Sequence, residues 1–179
     1  MEKNESVSRK NLFKIVVIGD SNVGKTSLLT RYTKGTKNET KPTVGADFSK
    51  KEVFVNDTIV TVTIWDTAGQ EMYQSLSYTY YRGSDCCVLV YDITNKQSFE
   101  RLEQWKNLFI EQMGCDADKF PFVVMGNKCD LEDDRVISAD QARAWCQKNG
   151  NIPYFETSAT VNTNIDEAFM SIIQKAIDL

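Results

Sequence analysis

The stretch "LFKIVVIGDSNVGKTSLLTRY", residues 12–32, changes hydrophobic period once and turns once. "LFKIVVIGD", residues 12–20, is a short β-rich apolar run, which predicts a strand. "SLLTRY" has helical spacing, so a helix is predicted there. Between the two, Gly19 and Gly24 enclose four residues and are followed directly by Lys25 and Thr26. Strand, glycine-framed turn and helix in that order are the setting in which this spacing cradles phosphate. Glycine lets the backbone wrap close to the ligand, the amides from about Ser21 to Thr26 point inward, and the helix N-terminus adds favourable partial charge. The Lys25 ammonium reaches the outer phosphates and the Thr26 hydroxyl suits Mg²⁺. Candidate nucleotide-binding residues here are Ser21, Asn22, Val23, Gly24, Lys25, Thr26 and Ser27. The bare pattern arises by chance in on the order of 1% of chains this long, and its strand-to-helix setting lowers that further.

The rest of the chain repeats the alternation. "CCVLVYDIT", "PFVVMGNK" and "IPYFETSA" are further β-rich runs, separated by stretches of helical period. This predicts an α/β fold, a mostly parallel sheet with crossover helices on both faces. Residues 48–65 differ: "FSKKEVFV", an Asn56-Asp57 turn and "TIVTVTIW" alternate with period two, which predicts a hairpin and one antiparallel edge strand in a sheet of six. Ser138 and Gln141 have capping-box spacing ahead of "ARAWCQKN", and Gly150 stands where that helix would end. Another helix is predicted to start near Thr94 or Ser98, burying Phe99, Leu102 and Trp105.

Bulk properties bound the function. A chain of 179 residues with 41% hydrophobic content supports one domain and one respectable core. Net charge is -4, with a pI near 5.0, and the basic residues are scattered, so nothing resembles a nucleic-acid footprint. The five cysteines have no paired metal spacing, and an odd count fits reduced thiols in the cytosol. The polar start, residues 1–10, reads as a flexible arm before a domain spanning 11–179, and no apolar run is long enough to span a membrane.

Three more segments converge on one ligand. "IWDTAGQE" ends a strand with Asp66, which can hold Mg²⁺ through water; Gly69 then offers an amide to the last phosphate, and Gln70 can orient water. "NKCD" follows the strand "PFVVMG", placing Asn127, Lys128 and Asp130 at the C-terminal sheet edge where α/β proteins bind ligands. A carboxylate there accepts both the ring N–H and the exocyclic amine of guanine, a pair that adenine cannot present. "ETSA" ends the next strand, and the Ala159 amide, beside Ser158 and Thr160, can donate to the guanine carbonyl oxygen. Singly these patterns are weak; together and in this order they select a guanine nucleotide.

With those residues in place, the chain resembles the small GTPases of the Ras superfamily over residues 11–178, and within them the Rab family. "VGADF", "TVTIW", "YYRGS" and "LVYDIT" carry the Rab likeness. "GADFSKKEV", "SDCCVLVYDIT", "FPFVVMGNKCDLE" and "NIPYFETSA" are similar to the Rabs of late endosomes and lysosomes. The resemblance implies that the polar stretch "TKGTKNETKPTVGADF", residues 33–48, is switch I, with Thr43 touching Mg²⁺ and the terminal phosphate of GTP. Residues 69–81 would be switch II. Phe48, Trp65 and Tyr80 match the aromatic triad that presents effectors with a nucleotide-dependent surface; without the resemblance they would read as core. Regulators are implied too: an exchange factor, a GTPase-activating protein and a GDP-dissociation inhibitor. Family members continue past this point into a flexible, geranylgeranylated tail, so the sequence is expected to be a piece of a longer chain. That protein would be cytoplasmic and peripheral on late endosomal, lysosomal or phagosomal membranes. A naturally tail-less GTPase is the alternative.

The departures from the family are informative. Thr36 stands where an aromatic ring usually packs on the guanine, and Thr160 where a Lys usually follows "TSA". Two apolar covers of the base are thus missing, each worth about 1 kcal/mol, leaving mainly the Lys128 stem. Faster nucleotide release than is usual for the family is the expectation, unless another side chain such as Tyr32 covers the base. In switch II, Met72-Tyr73 replaces the usual Arg-Phe, which bears on partner identity. Ser21 is usual among Rabs.

The implied chemistry is attack of a Gln70-oriented water on the γ-phosphate, with Lys25, Mg²⁺ and the loop amides stabilising charge. With no histidine in the chain and no Arg evidently placed at the leaving phosphate, intrinsic turnover is expected to be slow. An activating protein that supplies an Arg adds about 10³ to 10⁵, the range known for GTPases as a class. The expected function is therefore a GTP-hydrolysing switch in vesicle and endosomal traffic. The alternative is a nucleotide-gated binding module with little turnover. A small-molecule kinase is disfavoured, since no Arg-rich lid segment is legible.

Overall fold

A computed structural model describes residues 10–34, 46–67 and 77–179. Strand β1 (Leu12–Ile18) alternates sides: Ile15 and Val17 enter one buried cluster, Val16 and Ile18 another. A strand buried on both faces must lie in the middle of a sheet covered twice. It does so here, flanked in parallel by β3 (Thr58–Thr67) and β4 (Cys86–Asp92). Next to β4 come β5 (Phe122–Asn127) and β6 (Tyr154–Glu156), also parallel, while β2 (Ala46–Val55) pairs antiparallel with β3 at the opposite edge. The six strands thus run β2-β3-β1-β4-β5-β6, a mostly parallel sheet with one antiparallel edge strand, as the period-two and apolar runs predict.

Helices cover both faces. On one side α1 (Lys25–Lys34) and α6 (Ile165–Ile177) bring Leu28, Phe169, Ile172 and Ile173 to the cluster that holds Ile15. On the other, the short α2 (Ser77–Tyr81) and α3 (Lys96–Glu100), then α4 (Leu102–Met113) and α5 (Ala139–Lys148), supply Tyr81, Phe99, Leu102, Trp105, Phe109 and Cys146. Every parallel strand therefore ends at one rim, and the loops leaving that rim carry the motifs.

Local signals acted where the chemistry places them. Asn56 and Asp57 have φ of 49° and 60°, the left-handed pair that a tight hairpin turn requires. Ser138 Oγ accepts from the Gln141 N–H at 3.1 Å and starts α5, which ends two residues before Gly150 at φ +88°. The helix expected from Thr94 or Ser98 is capped by Asn95, whose Oδ1 accepts from the Ser98 N–H at 3.1 Å. It breaks at Arg101 into α3 and α4, so Phe99, Leu102 and Trp105 are all buried but come from two helices.

The five cysteines are free thiols; Cys86, Cys87 and Cys146 are buried, and burial pushes the Cys146 thiol up to about 11. No helix among the described residues is long and apolar enough to cross a membrane. Of the expected arm, residues 1–9 lie outside the described residues; Lys10 pairs with Asp85.

Candidate nucleotide site

The loop from Gly19 to Thr26 closes on its own backbone. Gly24 has φ +96°, and a Cβ there would stand 2.3 Å from Asn127 Nδ2; at Gly19 it would stand 2.2 Å from the Val90 carbonyl oxygen. Close approach therefore demands glycine at both positions. Lys25 is buried and curls under the loop, its ammonium donating to the Gly19 and Asp20 carbonyls at 2.8 Å each. The Thr26 hydroxyl, at the start of α1, donates to the Asp66 carboxylate. Parallel pairing of β1 with β3 sets Val17 opposite Asp66 and so brings the two expected metal ligands together at the rim. A hydroxyl and a buried carboxylate in contact form a hard oxygen donor set that fits Mg²⁺.

The second half of the site lies at the ends of β5 and β6. Asn127, 2% exposed, donates from Nδ2 to the Val23 carbonyl at 2.9 Å and accepts from the Thr157 hydroxyl at 3.1 Å. Lys128, at φ +64°, donates to the Asn22 carbonyl and pairs with the buried Asp92, each at 2.8 Å. Asp130 accepts from the Ser158 hydroxyl at 2.7 Å, which fixes one carboxylate oxygen and turns the side chain toward the cavity it lines. That cavity holds about 420 Å³ between Gly24, Ser27, Asn127, Lys128, Asp130, Leu131, Ala159 and Thr160. A larger cavity, about 580 Å³, lies between the β2–β3 turn and the end of α6, but it contains none of the motif residues.

Ser21, Asn22, Val23, Gly24, Lys25, Thr26, Ser27, Asp66, Asn127, Lys128, Asp130, Ser158, Ala159 and Thr160 are thus carried on the loops of a single rim. Thr36, Thr43, Gly69 and Gln70 lie outside the described residues, as does most of both expected switches. Of the aromatic triad, Phe48 stacks on Trp65 across the β2–β3 pair with centroids 5.1 Å apart, and Lys14 Nζ sits 4.3 Å over the Trp65 ring. Tyr80 is half-buried against the second core cluster, and Phe48 is exposed.

One alternative is corrected. Tyr32 does not cover the base. It is buried, stacked on Phe169 of α6 at 4.1 Å with Lys51 Nζ 3.8 Å above it, because its ring is worth more in the core than over a polar cavity. The structure brings Leu131 to the cavity instead, and Arg31 Nη2 donates at 3.2 Å to the carbonyl of Thr160, which also lines it. Sequence reasoning missed both, although Leu131 directly follows "NKCD". It also missed a network under the base loop. Arg135 grips Glu156 by two bonds of 2.7 and 2.8 Å, and the Tyr154 hydroxyl donates to the same carboxylate at 2.7 Å. Burial alone would raise that carboxyl, but the bonds from Arg135 and Tyr154 outweigh it and hold Glu156 below the ordinary carboxylate range.

Comparison with known proteins agrees with this geometry. The sequence matches the Ras family over residues 14–178. It is 52% identical to the Ras-related protein Rab-7a of Dictyostelium discoideum, over 97% of this chain and 87% of that one. It is also 52% identical to the Ras-related protein Rab7 of Drosophila melanogaster (96% and 83%) and 51% identical to the Ypt/Rab-type GTPase avaA of Emericella nidulans (96% and 85%). The Ras-family match over residues 14–178, together with relatives this similar over nearly the whole chain, places the protein in the Ras family as a Rab7-like small GTPase.

Proposed function

We propose that the rim between β1 and β6 binds GTP or GDP with Mg²⁺, with Lys25 and the loop amides on the phosphates and Asp130 reading the guanine. The chain is a Rab-type GTPase, a switch that hydrolyses GTP and regulates vesicular traffic. The observation that carries the site assignment is the Ser158–Asp130 bond. It presents an oriented carboxylate to a cavity that the phosphate loop closes on its other side. Thr26 and Asp66, joined by Thr43 from the expected switch I, would hold the Mg²⁺, which when bound neutralises phosphate charge. Lys25 leaves its two loop carbonyls to meet the β- and γ-phosphates. Gln70 orients the attacking water, Gly69 donates to the terminal phosphate, and Phe48, Trp65 and Tyr80 present the result to effectors.

The low cover of the base makes release faster than is usual for the family, with Leu131 and the Lys128 stem as the apolar walls. From the family resemblance we further infer action on late endosomal or lysosomal membranes through a lipidated tail, with an exchange factor, an activating protein and a dissociation inhibitor as partners. Nothing in the structure favours the binding module with little turnover.

Asp130→Asn tests the base assignment. An amide cannot accept from both the ring N–H and the exocyclic amine, so affinity for GDP should fall by about 10² or more while xanthosine diphosphate gains. Competition titration with both nucleotides reads it directly. Unchanged preference for GDP would move the base elsewhere.

A further inference from the structure

Asp20, the second residue of the phosphate loop, is 9% exposed, and its carboxylate is engaged by the helical layer outside the loop. Trp105 Nε1 donates to one oxygen at 2.8 Å and Arg101 Nη1 to the other at 3.2 Å. The two donors lie one turn apart, Arg101 capping α4 and Trp105 bonding back to it through its own N–H at 3.0 Å. On the loop's inner side the Asp20 carbonyl is held by Lys25. The outer grip, from Trp105 and Arg101, does not depend on Lys25, which in the proposed site turns to the phosphates when nucleotide binds.

Core packing explains why Trp105 is buried, but not why a carboxylate is buried in a loop built to receive a polyanion. Such a charge opposes phosphate binding unless it is neutralised and held in place. Rigidity is also needed, because Asn22 and Gly24 sit at positive φ and no regular hydrogen-bond ladder supports the residues between Gly19 and Lys25. We infer that Asp20, Arg101 and Trp105 form a clasp that positions the phosphate loop for the diphosphate, with Arg101 and Trp105 as positioning residues acting through Asp20. The inference rests on the proposed nucleotide site. It ties the start of α4 to phosphate recognition, separately from base recognition at Asp130.

The test uses the GDP-loaded protein and two variants, Trp105→Phe, which keeps a ring but loses the N–H, and Arg101→Gln. The second, at a half-exposed position, folds even if the first does not. Three quantities are read: release of fluorescent GDP, the ³¹P resonance of the bound β-phosphate, and the ratio of GDP to inosine diphosphate affinity. Losing one hydrogen bond to a charged group should speed release about tenfold. The β-phosphate resonance should move, the GDP-to-IDP ratio should stay, and Arg101→Lys should recover part of the slow release. Variants that are folded with wild-type release and an unmoved ³¹P resonance overturn the clasp, as does a change in base ratio equal to the change in release, which would mean general loosening. Wild-type protein that bound no GDP would instead overturn the nucleotide site itself.

Discussion

Replacing Glu156 by Gln removes the charge that Arg135 is built around. The pair is half-sheltered, with side chains 16% and 21% exposed, and is made by two short bonds in fork geometry. Breaking a fully buried pair costs about 3–5 kcal/mol. Here Arg135 keeps Glu132, which is mostly exposed, and the Ile137 carbonyl at 3.0 Å, so about 2 kcal/mol is expected. For a domain of this size that is a fall in Tm of roughly 4–8 °C. The sign with pH follows from the depressed carboxyl of Glu156. A depressed folded-state pKa gives stability that is full above the unfolded value, about 4.3, and is lost as pH falls through the folded one. The gap between wild type and variant should thus be complete at neutral pH and close in acid. Thermal unfolding by circular dichroism measures it, with GDP and Mg²⁺ held saturating because ligand shifts Tm by mass action. A gap under about 1 °C at neutral pH, or one that widens in acid, would refute the account of the pair.

Gly24→Ala puts a methyl at φ +96° and 2.3 Å from Asn127 Nδ2, so either the loop or Asn127 must move. GDP affinity should fall by about 10² or more in calorimetric titration, since two kinds of strain act together. Wild-type affinity would show that the rim has room for the added methyl. Thr36→Phe restores the ring that the family places on the guanine. It should slow GDP release about fivefold, the equivalent of about 1 kcal/mol, in a fluorescence chase with and without Mg²⁺. No slowing would mean that Leu131 and Lys128 already cover the base.

What the sequence disclosed depended on the range of each cause. The hairpin was legible because period two and the Asn56-Asp57 turn agree within a few residues, and the rim was legible because each motif directly follows an apolar run. Tyr32 was offered to the base because an aromatic near a loop carries no mark of what it faces; only α6, more than a hundred residues on, shows that Phe169 claims it. The Arg135–Glu156 and Asp20–Trp105 contacts span 21 and 85 residues and leave no periodic trace. The break between α3 and α4 was hidden for a different reason, since two short helices joined at Arg101 preserve the apolar stripe of one. The expected switches cannot be compared in the same way, because residues 35–45 and 68–76 lie outside the described residues.

The bonds between the two halves of the rim alter the part that Asn127 plays. Its amide is spent on the Val23 carbonyl and the Thr157 hydroxyl, and at 2% exposure little of it remains for a ligand. Lys128 adds a second tie, from the base loop to the Asn22 carbonyl. Both ties end on the middle of the glycine-framed loop, on the Val23 and Asn22 carbonyls. Asn127 and Lys128 therefore act as bolts between the two loops, which in the proposed site leaves Asp130 to read the base. The division has a consequence for selectivity. In the proposed site a change at Asp130 should alter which base is preferred, whereas a change at Asn127 should free the Val23 peptide and loosen phosphate and base together. Loss of Asn127 should therefore lower affinity for every nucleoside diphosphate without changing their order.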